Sequence, residues 1–121
     1  MSTVSIEDIY DLATFFLKLS PQQRKSFLQH TTREQCEILR QASYNILLNT
    51  SMQVNDDDKQ YLNRHISSIR KLASTKICNK DKQHILYKKY NVITRILKII
   101  VKFFDTQTLN TNSEIEAKAI A

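Results

Sequence analysis

The sequence has no glycine and no tryptophan, and its 121 residues include one proline and two cysteines. Glycine supplies the positive φ angles of tight hairpin turns and β-bulges. A β-rich fold of this length would need several such turns, so strands are not expected. Phosphate-cradling loops need glycine where backbone approaches phosphate, which argues equally against a P-loop or dinucleotide fold. The two cysteines, Cys36 and Cys78, stand far apart without a CxxC pair. With only His30, His65 and His84 beside them, no zinc-ligand spacing appears. The expectation is two reduced thiols, Cys36 at an apolar helical position, and no metal and no cofactor. Long apolar runs are missing too, so no transmembrane helix is expected. The opening Met-Ser-Thr-Val-Ser-Ile-Glu-Asp is polar and acidic, unlike a secretory signal, which points to an intracellular or virion setting.

What is present is ordinary in amount and unusual in arrangement. Apolar residues make up 41% and charged residues 25%, enough for one small core and too apolar for wholesale disorder. Residues 1–58 hold five Lys/Arg against eight Asp/Glu, whereas residues 59–104 hold twelve against one. Residues 105–121 hold one against three, leaving the chain at +6. A folded segment at net +11 calls for a polyanionic partner or serves as a solvated, solubilising face.

Helix start signals divide the chain. Ser5 precedes a first turn carrying Glu7 and Asp8, with Ile9, Leu12, Ala13, Phe16 and Leu19 at helical spacing behind it. Ser20-Pro21-Gln22-Gln23 ends that helix and starts a short second one with Phe27 and Leu28 inward. Thr31 and Glu34 read as a third capping box, opening a helix that runs to about Leu48. Asn55 and the three aspartates after it open a fourth helix, since carboxylates stabilise a helix N-terminus better than they suggest a metal loop. That helix is expected to reach about Ser74, with a fifth from about 80 to 90. From Val92 to Phe104, nine of thirteen residues are apolar, and Arg95, Lys98 and Lys102 share one helical face. The expected fold is all-α: a compact bundle of five or six short helices, no sheet, over residues 1–104. Its expected core is Leu39, Ile46, Leu62, Ile66, Ile69, Leu72, Ile96 and Ile100. Residues 105–121 are expected to form a polar, flexible tail.

An enzyme would need a nucleophile with its base, or paired acids, at readable spacing, and none is visible. Phosphate contacts are the better use of the basic stretch, with Arg64, Arg70, Lys71, Lys76, Lys80, Lys82, Lys88 and Lys89 as candidates. Tyr61, Tyr87 and Tyr90 interleave with them as stacking or packing residues. No helix-turn-helix signal appears, so the binding expected is non-specific and salt-dependent, to DNA or RNA. The 92–104 segment has three readings: core helix, self-association or protein-contact surface, and peripheral membrane helix. Its candidate contact residues are Ile93, Arg95, Ile96, Lys98, Ile100, Lys102, Phe103 and Phe104.

Residues 39–102 also carry a recognisable pattern. Asn45-Ile46-Leu47 and Asn49 are followed by Leu62, then Ile69-Arg70-Lys71-Leu72-Ala73 and Lys76. Lys80, Lys82 and Leu86 come next, then Ile96-Leu97 and Ile99-Ile100. This resembles a family of short basic proteins encoded by animal DNA viruses and by virus-like transposons of the Maverick, or adintovirus-like, group. That family carries glycines after its first helix and a Gly-Gly pair before the apolar segment, where this chain reads Leu48-Asn49-Thr50 and Tyr90-Asn91-Val92. The resemblance implies a viral or transposon-derived accessory or virion-associated protein. It assigns no functional residues.

Overall fold

Seven helices account for almost all of the described chain, which in this computed structural model comprises residues 4–48, 54–74 and 79–120. The side chains of residues 79–81 and 107–120 lie outside that description. In order the helices are α1 (Ile6–Leu17), α2 (Pro21–Gln29), α3 (Arg33–Leu48), α4 (Asp56–Arg64), α5 (Ile66–Ala73), α6 (Asn79–Lys88) and α7 (Tyr90–Ile120). There is no strand among the described residues, and none of them has a positive φ. The all-α class is as expected, and the helix count is higher.

The extra helix comes from His65. Its φ of −113° and ψ of 18° take it out of the helix, so the single helix expected up to Ser74 becomes α4 and α5. The His65 amide closes a tight bond to the Leu62 carbonyl (3.1 Å), and its own carbonyl accepts from Ile69 (3.1 Å). At the other end, α7 does not stop at Phe104. Nothing after that residue is Gly or Pro, and Glu114, Glu116, Ala117, Lys118 and Ala119 favour helix, so the expected tail continues the helix to Ile120.

Side-chain caps fix the helix starts. Ser5 and Asp8 form a reciprocal capping box, as do Ser20 and Gln23 ahead of Pro21. Asn55 accepts from the Asp58 amide at 2.8 Å. The third box sits one residue later than expected. Thr32 and Gln35 exchange the two bonds at 3.1 and 2.9 Å, because Thr31 is buried (5% exposed) with its hydroxyl 3.1 Å from the Cys36 sulfur.

The core centres on the first part of α7. Val92, Ile93, Ile96, Leu97 and Ile100 are each 1% exposed, and α1, α2, α3 and α6 all pack against this helix. Ile9, Ala13 and Phe16 of α1, Leu28 of α2, Leu39 and Ala42 of α3, and Ile69 and Leu72 of α5 complete one cluster. Each fully buried Leu, Ile or Phe contributes about 1.5–3 kcal/mol over exposure. Of the expected core, Ile46 and Ile66 are only half-buried. The rest of the list is inside. Hydrogen bonds also tie distant segments, among them Tyr10 donating to Asp105 (2.8 Å) and the Gln83 amide donating to the Thr31 carbonyl (2.8 Å).

Candidate nucleic-acid interface

Three cations converge on one hollow where α2 meets the first turns of α7. Asn91, Thr94, Arg95 and Lys98 share a face of α7 because they are spaced by three and four residues. Arg24 reaches the same hollow from α2, and Tyr61 from α4. The hollow measures about 410 Å³. Arg24 is fixed in place: Nε donates to the Phe16 carbonyl (3.2 Å) and Nη2 to the Leu17 carbonyl (2.8 Å). These carbonyls lie in the last turn of α1, where a cation complements the helix dipole; that of Phe16 also accepts the Leu19 amide (3.1 Å). Its guanidinium lies 5.6 Å from the Phe16 ring centre.

Arg95 is held as firmly. Nη1 donates to Asp58 at 2.8 Å, and the guanidinium lies 4.5 Å over the Tyr61 ring. Asp58 also sits in the capped first turn of α4, so one carboxylate links that helix start to α7. Lys98 is exposed. Among the described residues no carboxylate lines the hollow; Asp58 meets Arg95 beside it and is paired with that guanidinium.

A second hollow is lined by Lys25, the residue after Arg24 of the first. Pro21, Gln22, Lys25, Ser26 and Gln29 line it from α2, and Tyr87 lines it from α6, with a volume of about 610 Å³. Lys25 Nζ lies 4.7 Å over the Tyr90 ring, beside Asn91 of the first hollow. The opposite character appears on the α1–α7 seam. There Ile6, Glu7, Tyr10, Asp11, Phe104 and Asp105 surround a hollow of about 420 Å³. The Asp105 carboxylate accepts the Tyr10 hydroxyl and holds its pKa above the usual phenol value. A polyanion is repelled from that side and attracted to the α2–α7 side.

The residues singled out from sequence fall in several places. Arg95 and Lys98 enter the cationic hollow, and Lys102 is exposed one turn further along α7. Arg64, Arg70 and Lys71 are exposed on α4 and α5, Lys88 is exposed on α6, and Lys89 is half-buried in the α6–α7 turn. Lys76 lies outside the described residues, as does the side chain of Lys80.

Lys82 does not belong on a phosphate-binding surface: it is 6% exposed. Burial pushes its pKa below the usual lysine value, helped by the Arg40 guanidinium and opposed by Glu37. Ile93, Ile96 and Ile100, each 1% exposed, are core residues and present no apolar face for a contact. Phe103 and Phe104 are half-buried, and Phe104 meets Tyr10 edge to face at 6.1 Å. Helical periodicity could not say whether the wide apolar arc was covered, and the structure covers it.

Arg24, Lys25 and Asn91 were missed. Their signal was faint but legible, since Arg24 and Lys25 sit on a short helix without a single Asp or Glu, inside an otherwise acidic half. No family model matches the chain, and comparison with curated proteins and with solved structures finds no match.

Proposed function

We propose that this chain is a non-catalytic viral or virus-derived protein that binds nucleic-acid backbone without sequence specificity. The observation that carries the reading is the convergence of Arg24, Arg95 and Lys98 on one hollow that no carboxylate among the described residues lines. Asn91 and Tyr61 add hydrogen-bonding groups around it, which suits a phosphate oxygen better than an apolar ligand, while the Thr94 hydroxyl is already donated to the Tyr90 carbonyl (2.8 Å). Two of the three cations are held by structure before any ligand arrives, so little side-chain entropy is lost when a phosphate docks. The net charge of +6 adds long-range attraction. The viral or virion-associated setting rests on the resemblance across residues 39–102 alone.

An assembly module working through residues 92–104 has weaker support, because most of the apolar face of that segment is inside the core. Peripheral membrane attachment by the same segment is disfavoured for the same reason. The deciding experiment is fluorescence anisotropy of a labelled random-sequence oligonucleotide across a salt series. Affinity should fall linearly on a log–log plot, and Lys98→Ala should reduce the slope by roughly one. Binding that ignores salt, or a slope unmoved by Lys98→Ala and by Arg24→Ala alike, would rule the reading out.

A further inference from the structure

We infer that the second hollow is a base-stacking subsite, so that the ligand of this face is a single-stranded polynucleotide. This inference rests on the backbone-binding reading of the neighbouring hollow. Three tyrosines line this side of the molecule, and their rings are in different states. Tyr61 is covered by the Arg95 guanidinium at 4.5 Å and by the His65 ring at 4.7 Å. Tyr90 has Lys25 Nζ over its face at 4.7 Å. Tyr87 is 39% exposed and stands in the wall of a hollow of about 610 Å³. A large aromatic ring left open to water beside a cationic groove is the arrangement that stacks on bases in sequence-tolerant single-strand binders.

The rest of that wall fits the same ligand. Gln22, Lys25, Ser26 and Gln29 are spaced along one face of α2, so two amides and a hydroxyl surround the ring with both donors and acceptors. Such groups can meet the exposed edge of any base without demanding one identity. The two hollows are linked through neighbouring residues of α2 and α7. Arg24 lines the cationic one and Lys25 the aromatic one, and they are consecutive on α2. Tyr90, beneath Lys25, is followed directly by Asn91 of the cationic hollow. A strand with its phosphate at Arg24, Arg95 and Lys98 therefore has room to turn a neighbouring base onto Tyr87. A duplex keeps its bases stacked on one another and offers Tyr87 no free base face.

The test measures binding of a labelled oligothymidylate and of a hairpin duplex of equal charge at low salt. It uses the full chain and the variants Y87A, Y87F and K98A. Tyr87 is exposed, and circular dichroism checks that each variant keeps its helical content. Y87A should weaken oligothymidylate binding by about tenfold, Y87F should restore most of it, and duplex binding should be unchanged in both. K98A should weaken both ligands. If Y87A leaves oligothymidylate binding intact, or weakens both ligands equally, while K98A still acts on both, the stacking subsite is overturned and the backbone reading stands. If neither ligand binds in a salt-sensitive way, both are overturned.

Discussion

As sequences, residues 1–58 and 59–104 look like parts of different proteins, one acidic and one strongly basic. In the fold both contribute cations to one face. Arg24 and Lys25 come from the acidic half, whereas Arg95 and Lys98 come from the basic half. The exchange also runs the other way. Asp58, from the acidic half, neutralises Arg95, and Lys82, from the basic half, is buried. A block of charge along the chain thus does not predict a patch of charge in space. Helix packing redistributes it, because each helix turns only one side toward solvent.

The largest effect should come from the helix on which both halves are built. Ile96 is 1% exposed at the centre of α7. Replacing it with Ala removes buried methyl groups and leaves a cavity, at a cost of about 2–5 kcal/mol. Urea unfolding of Ile96→Ala should show one cooperative transition at a lower midpoint. Two transitions, with only one shifted, would mean that the halves fold separately and that the shared core is not what unites them.

Next in size is Lys82. The folded state disfavours its charged form, so its folded pKa lies below its unfolded one. The unfolded chain then binds more protons, and this group makes stability rise with pH between those two values. Below the lowered pKa the full burial cost of the ammonium is present. Lys82→Met should therefore be neutral or stabilising at pH 7, by up to about 1 kcal/mol. It should also remove the gain in stability expected of the parent chain as pH rises from the lowered folded pKa toward the usual lysine value. A variant clearly less stable than the parent at pH 7 would show that the charge is structurally needed.

The smallest effect, and the sharpest on the comparison itself, belongs to Asp58. Asp58→Asn releases Arg95 from its pair and costs about 0.5 kcal/mol of stability from the first turn of α4. Affinity for an oligonucleotide at low salt should nevertheless rise, about two- to threefold, since a negative charge leaves the edge of the groove. Weaker binding would mean that Asp58 holds Arg95 in its productive position.

Much of the fold could be read in advance, for local reasons. The Ser5 cap, the Ser20 capping box, the Asn55 cap and the apolar stripe of α7 depend on neighbours within one or two turns. What escaped depended on long-range packing. Nothing local marks His65 as a helix break, because histidine is neither Gly nor Pro and sits in an unbroken apolar period. The shift of the third capping box to Thr32 followed from Thr31 facing Cys36 and Gln83. The site suffered most. Lys82 and Lys98 are indistinguishable as letters, and only packing decides that one is buried and the other open. Arg24 was hidden by averaging charge over its half of the chain.

The helix connections that the structure describes are all made without a positive φ, in a chain that has no glycine anywhere. The consequence lies in the unfolded chain. Every residue carries a Cβ, so the denatured ensemble samples fewer backbone states and loses less entropy on folding. At a site that tolerates it, replacing Gly with Ala is worth about 0.4–1 kcal/mol through this effect alone. Small domains have little core from which to draw stability. This one has part of its stability set before it folds, in the conformations its unfolded chain cannot reach.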